Sequence, residues 1–394
     1  MKNGVSIIIP TCNGGTIFSQ CLAAIKHQAY ANRFQLIVVD SGSTDGTVEL
    51  ALKAGATVKK IDQKLFHHAK TRNEALSLAD HDKILFMVQD AVPVSESWLA
   101  ALSQALDDSP VAAVYTSQVP HDDATSYARF DIESINTARG PVPTVQELES
   151  LESYAEMPYH QAYRMIGLDN VCAIYRKKYL LREPFPTVDF AEDMAWAQKN
   201  LLLGLKVLYN PQIKVKHSHN RSPHYAFRRQ IVNSFWCAKI MGRVEEDFSF
   251  VKVEDLKAIT GELLSFVSGM RSRIFACEPE YPKNALFLQE ILGKYPRVSR
   301  LKGFLTGRVF YRQKPMPEGV RKLVRNLESQ IETLFHLIKK KYHMQDEKEE
   351  VLLLDQVAAN VMGRVYGEVY ASRLLKDTIS PSLESLVRPF FHGV

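Results

Sequence analysis

A chain of 394 residues with 46% hydrophobic and 24% charged residues has the balance of an ordinary globular protein, with room for two cores, which excludes disordered and fibrous classes. Its formal charge of +5 is too mild to point to a partner. The five cysteines (Cys12, Cys21, Cys172, Cys237, Cys277) are odd in number and lack CxxC spacing, which fits reduced thiols and excludes a disulfide framework or a zinc finger.

The opening MKNGVSIIIP has neither the length nor the cleavage site of a signal peptide and reads as a first strand over 5–10. A helical pattern follows over 16–28, then strand 35–40, helix 47–54, strand 57–61, helix 70–79, strand 83–90, helix 95–107 and strand 112–118. Strands at this spacing, each followed by a helix, predict an α/β fold with a mostly parallel sheet covered on both faces. Ligands of such sheets sit beyond the carboxyl ends of the strands, so Thr11-Cys12-Asn13, Asp40-Ser41-Gly42 and Asp90-Ala91 are expected on one rim.

Residues 121–163 are polar, acidic and weakly periodic, an excursion over the same rim. Regular pattern resumes with a strand running into a helix over 170–180, a helix over 192–205, and strands over 206–211 and 213–219. From 244 onward helical patterns dominate, giving an expected division into domains 1–243 and 244–394. The tail between Lys294 and Lys341 is basic, with Phe304, Val309, Phe310 and Tyr311 interleaved. It suits an anionic membrane surface, an oligomer interface or a solvated face equally. Every apolar run falls short of the ~18 residues of a membrane span, so membrane contact would be peripheral and the expected location cytoplasmic. Charge alone would permit nucleic acid, but no motif for it is present and none is expected as a partner.

VVDSGSTDGT, residues 38–47, delivers Asp40 from a buried strand into a tight turn, with Thr44 or Asp45 placed to cap the next helix. A carboxylate there suits a base imide or a ribose hydroxyl, and a plain turn and cap accounts for it as well. Arg72 and Asn73, read as the start of a helix, suit a phosphate, or Arg72 pairs with Asp40 or Asp45. Glu192 and Asp193 open an amphipathic helix, where the dipole favours negative charge whether or not they do chemistry.

Pro10-Thr11-Cys12-Asn13 together with Val39-Asp40-Ser41-Gly42-Ser43-Thr44-Asp45-Gly46-Thr47 resembles the family 2 glycosyltransferases of GT-A fold, over roughly residues 4–240. The FHHAKTRN and Gln89-Asp90-Ala91-x-Pro forms resemble its rhamnosyltransferase branch. The resemblance implies an inverting transfer of a sugar, L-rhamnose from a deoxythymidine-diphosphate donor, to a saccharide or lipid-linked acceptor in surface-polysaccharide synthesis. Pro10, Thr11, Asn13, Asp40, Ser41, Arg72 and Gln89 would surround the nucleotide, Asp90 and His217 (with His219 a weaker choice) would hold a divalent Mg or Mn ion, and Asn170 would touch donor sugar or acceptor. Asp193 would be the base that takes the acceptor proton, with Glu192 beside it. Gln89 stands where the family's D-x-D has an acidic residue, which leaves open a binding module or a recruiting protein that has lost catalysis.

Overall fold

In the computed structural model of the protein, which describes residues 4–274 and 316–391, the apolar runs of the first half build one nine-stranded sheet. Its strands are β1 (Gly4–Thr11), β2 (Arg33–Asp40), β3 (Thr57–Lys60), β4 (Lys83–Met87), β5 (Val92–Pro93), β6 (Ala113–Val119), β7 (Thr144–Gln146), β8 (Cys172–Arg176) and β9 (Val207–Lys216). They lie in the order β3-β2-β1-β4-β8-β6-β9-β5, with β7 also on β9. β8, β5 and β7 run against the other six, so the sheet is mixed but mostly parallel, an α/β architecture of GT-A type.

Helices α1 (Gly15–Lys26), α2 (Thr47–Lys53), α3 (His68–Ala75) and α4 (Trp98–Asp107) connect the parallel strands. Val5, Ile7 and Ile9 of β1 are buried in one cluster with Phe18 and Ile25 of α1 and Trp98 and Leu102 of α4. Alternate residues point the other way: Phe86 and Tyr175 meet Phe185, and Tyr175 meets Trp196 with ring centroids 5.1 Å apart. Trp196 belongs to α9 (Glu192–Leu202), and this aromatic packing is what seats that helix on the sheet.

Several elements differ from the sequence reading. Strand β4 stops at Met87, leaving Gln89 and Asp90 in the turn beyond it. The two strands expected over 206–219 are one, β9, whose partner on β6 jumps from Asn210 opposite Thr116 to Lys214 opposite Ser117, so residues 211–213 form a bulge. The weakly periodic stretch holds α5 (Ser126–Arg139), β7, α6 (Leu151–Glu156) and α7 (Tyr159–Met165). Its signal is faint because α5 buries only Ala128 and Ile132. β8 runs directly into α8 (Lys177–Arg182), as expected.

The chain divides into two compact units, Met1–Ala124 with Ala128–His219, and Thr125–Tyr127 with Asn220–Val394. The helix α10 (Pro223–Met241), grouped by sequence with the first domain, lies in the second unit beside α11 (Val253–Ile274), α12 (Glu318–Lys341), α13 (Glu347–Leu375) and α14 (Pro381–Val387). Helix α13 is buried around most of its circumference and is the axis of this unit. Glycine lets α10 lie directly against it: a Cβ on Gly363 would stand 2.4 Å from the Phe227 carbonyl oxygen, and one on Gly367 2.8 Å from that of Ile231. The hydroxyls of Thr260 and Tyr366 meet at 2.8 Å, and Arg271 pairs with Asp355, tying α11 to α13. Of the basic tail, Arg321, Lys322, Arg325 and Lys339-Lys340-Lys341 lie on α12, where Arg321 and Arg325 engage Glu318, while Lys294 to Lys314 and the interleaved aromatics lie outside the described residues, as does Cys277. The other four cysteines are free thiols. Among the described residues no helix is long and apolar enough to cross a membrane.

Glu368 on α13 is 1% exposed, and burial together with the Glu245 carboxylate pushes its carboxyl up to about 8 from 4.5. The folded chain therefore holds a proton that the unfolded chain releases, so this contribution to stability is complete below about pH 4.5 and is lost as pH rises through 8. Glu368→Gln is expected to raise the thermal transition of the helical unit relative to wild type at pH 8 and to leave it nearly unchanged at pH 4.5, as read by calorimetry.

Candidate active site

The loops after β1 and β2 are stitched into one structure by short polar side chains. Asp40, buried at the end of β2, accepts from the Thr11 hydroxyl (2.9 Å), the Gly42 and Ser43 amides (3.1 and 3.0 Å) and the Ser43 hydroxyl (2.5 Å). Burial works to raise its pKa, but these donors, Ser43 foremost, hold it below the usual carboxylate value. Ser41 donates from its amide and its hydroxyl to the Thr11 carbonyl (2.9 and 3.0 Å). Asn13 takes a left-handed conformation (φ 48°), which lets its side-chain oxygen accept from the Thr44 amide at 2.9 Å. Asp45 accepts from the Thr47 amide (3.1 Å) and hydroxyl (2.6 Å), while the cap position of α2 itself is Gly46, which has no side chain to offer. Pro10, Thr11, Asn13, Asp40 and Ser41 are thus brought together at one double loop. In that loop the Asp40 carboxylate organises the turn.

Gln89 closes the same rim from β4. Its Oε1 accepts from the Cys12 amide (2.9 Å) and its Nε2 donates to the Cys12 carbonyl (3.1 Å), so the side chain imitates one rung of a sheet ladder. A carboxylate can accept but cannot donate, and only an amide satisfies both backbone groups. The neutral residue at this position is required by the backbone it serves.

Asp90 follows, with its carboxylate 3.8 Å from His217 Nε2 and 3.5 Å from His219 Nδ1. One ligand atom from each of these three residues lies within 4.8 Å of the others, a donor set that fits a divalent cation accepting nitrogen and oxygen. His217 sits just beyond β9, and its amide continues the ladder by donating to the Val119 carbonyl (2.8 Å). His121 Nε2 meets the Asp90 carbonyl oxygen at 3.1 Å and steadies this turn.

On the other side of β4, Val88 donates to the Val171 carbonyl (3.2 Å), which places Asn170 level with the Gln89-Asp90 turn. Asn170 is buried and fully used: its amide donates to Asp193 Oδ2 (2.8 Å), its Nδ2 donates to Glu192 Oε1 (3.2 Å), and its Oδ1 accepts from the Tyr175 hydroxyl (2.7 Å). Glu192 is paired with Arg72 at 2.8 Å, both nearly inaccessible to solvent. Arg72 lies in the second half of α3, which begins at His68, four residues before it, and its guanidinium serves Glu192 instead of Asp40 or Asp45. Asn73 is latched to the Phe185 backbone by two bonds (2.9 and 3.0 Å).

The two carboxyls of α9 are driven apart. Burial opposes ionisation of Glu192, but the Arg72 guanidinium and His68 prevail and hold its pKa down. Asp193 is raised to about 7 by burial and by the charge of Glu192. Adjacent carboxyls so divided give one fixed anion and one group able to exchange a proton near neutrality. The preceding residue, Ala191, is held at φ 58°, a conformation that an alanine adopts only under constraint.

The family model for glycosyl transferase family 2 matches residues 6–182. The O-antigen chain rhamnosyltransferase RfbN of Salmonella typhimurium is 34% identical over 264 residues, spanning 64% of this chain and 80% of that protein. The chain belongs to glycosyl transferase family 2. The O-antigen chain rhamnosyltransferase WbaN of Salmonella anatum is 30% identical over 261 residues, 63% of this glycosyltransferase and 79% of WbaN. Among solved structures, the mannosyltransferase PcManGT from Pyrobaculum calidifontis, in complex with GDP-Man and Mn2+, aligns at a TM-score of 0.47 with 17% identity over 91% of this chain and 86% of its own.

In this family 2 glycosyltransferase, Glu192-Asp193 and His217 lie beyond the residues that the family model matches, and the fold brings them to the same end of the sheet as the double loop. Sequence reasoning missed His121, Tyr175, Gln118 and Asp169, which join the site only through pairing of distant strands. Gln89→Glu is expected to lower stability by about 1–3 kcal/mol, the cost of an unmatched acceptor facing the Cys12 carbonyl, and to leave activity no higher than wild type. Denaturation midpoints and transfer assays check this; a gain in activity would show instead that Gln89 stands in for a lost ligand.

Proposed function

We propose that the protein transfers L-rhamnose, with inversion, from a deoxythymidine-diphosphate donor to a saccharide or lipid-linked acceptor in surface-polysaccharide synthesis, using Mg or Mn. The names of the two Salmonella relatives support the sugar and the pathway class. The observation that carries the chemistry is the divided pair Glu192-Asp193, one carboxyl neutralised by Arg72 and the other left with a pKa near neutrality.

In this reading the acceptor hydroxyl donates its proton to the Asp193 carboxylate while its oxygen bonds to the anomeric carbon. The bond from that carbon to the donor phosphate breaks on the opposite side, and the electron pair leaves with the diphosphate. A carboxylate is far too weak a base to ionise a sugar hydroxyl in advance, so proton transfer and bond formation proceed together. Glu192 stays ionised against Arg72 and Asn170, which fixes the helix start that carries Asp193. Asp90, His217 and His219 would hold the cation, which when bound supplies positive charge for the departing diphosphate. The double loop with Thr11, Asp40 and Gln89 would frame the nucleotide.

Asp193→Asn is expected to reduce transfer at least a thousandfold while donor affinity, followed by calorimetry, stays within a few-fold of wild type; donor binding lost along with activity would remove Asp193 from this role. Because the base works only when ionised, kcat of the wild type should fall tenfold per unit as pH drops below about 7, a limb set by the raised Asp193 carboxyl. Asp90→Ala should abolish the dependence of transfer on added divalent metal, and a variant that kept it would displace the cation from this turn.

A further inference from the structure

The candidate cation ligand His217 is gripped from behind by a chain of polar groups. His217 Nδ1 lies 2.8 Å from Gln118 Oε1, Gln118 Nε2 donates to Asp169 Oδ2 at 3.1 Å, and that same oxygen pairs with Arg139 at 2.6 Å. Arg139 is in turn anchored by a bond to the Gly167 carbonyl (2.9 Å) and lies over the rings of Tyr115 and Tyr209 (5.1 and 5.7 Å). Gln118 is 6% exposed on β6, and its backbone carbonyl accepts from Asn136 Nδ2 at 2.7 Å, so the side chain starts from a fixed point.

The direction of each bond follows from the far end. A carboxylate oxygen paired with a guanidinium only accepts, so Gln118 must turn its NH2 toward Asp169. Its Oε1 then faces His217 and also only accepts, so the proton of the imidazole must sit on Nδ1. The unprotonated nitrogen is then Nε2, 3.8 Å from Asp90.

We propose that Gln118 is a positioning residue for the cation site: held by the Asp169–Arg139 pair, its amide fixes both the ring orientation and the tautomer of His217, so that Nε2 is directed toward the space shared with Asp90 and His219. The inference rests on the cation reading above. Groups that orient a metal-bound imidazole through its second nitrogen contribute about 10- to 100-fold in affinity. The order of residues adds a consequence: Asp169 orients His217 through Gln118, and the next residue, Asn170, holds Asp193 and Glu192, so one dipeptide indexes both halves of the site.

The test is Mn2+ alone, titrated into the full chain and followed by electron paramagnetic resonance of the free ion. Wild type, His217→Ala, Gln118→Met and Gln118→Glu are compared, each checked for a retained cooperative thermal transition. Gln118→Met, which keeps the volume and removes both bonds, should weaken Mn2+ about 10- to 100-fold. Gln118→Glu sets two carboxylates face to face and should weaken it as well. In the metal-free chain, nitrogen NMR should show His217 protonated on Nδ1 in wild type and divided between its two nitrogens in Gln118→Met, a signature that mere disruption of packing would not produce, and an unchanged tautomer in Gln118→Met refutes the role. If wild type binds and His217→Ala does not, but Gln118→Met binds like wild type, the role of Gln118 is refuted while the cation reading stands. If His217→Ala binds as tightly as wild type, or wild type does not bind, both are overturned.

Discussion

The contact between Arg72 and Glu192 is the constraint from which the candidate site is built. Two adjacent carboxyls on one helical turn cannot both be buried as anions without a neutralising partner, and the guanidinium from α3 neutralises one of them. Removing either member of such a buried pair costs about 3–5 kcal/mol, because the other charge is left without water or counter-ion. With Glu192 fixed as the anion, Asp193 feels its charge at close range and keeps its proton toward neutral pH. Asn170 then needs a single orientation, since its amide nitrogen, side-chain nitrogen and side-chain oxygen each have an assigned partner. The aromatic packing of Trp196 against Tyr175 keeps α9 where this can occur.

The alternation of apolar runs and helical patterns made the parallel part of the sheet legible, because β1, β2 and β4 are buried on both faces and read as unbroken hydrophobic stretches. Motif residues at strand ends, Thr11, Asp40 and Asp90, were legible for the same reason: an apolar run followed at once by polar turn residues marks the rim. What could not be read was any partner brought in by long-range pairing. Arg72 is separated from Glu192 by 120 residues and Gln118 from His217 by 99, and nothing local to either member announces the other. Arg72 reads locally as a phosphate ligand or as the partner of Asp40 or Asp45, while the carboxylate it meets arrives with a helix far along the chain.

The amide of Gln89 illustrates how a residue at a motif position can be selected by backbone geometry. Seen as a sequence, Gln89-Asp90-Ala91 has one acidic residue too few for a paired-carboxylate site. In the fold, two imidazoles stand beside Asp90, and the amide secures the loop after β1 to the loop after β4. Division of labour between neighbours recurs at Glu192-Asp193, where one carboxyl pairs with Arg72 and the other stays protonatable, and at Asp169-Asn170, where one holds Gln118 and the other holds α9.

The bulge in β9 decides which way the end of that strand looks. Three residues, 211–213, are inserted between the pairings of Asn210 and Lys214 with β6, and three is an odd number. Side chains alternate across a sheet with a period of two, so an odd insertion inverts the phase of everything after it. Tyr209 and Lys214, five residues apart, therefore share a side with Tyr115 and Ser117. A family member with a strand end one residue shorter or longer at this point would present to the rim the residues that this chain hides, so length at the bulge, as much as side-chain identity, sets whether a histidine two positions past Val215 can face Asp90.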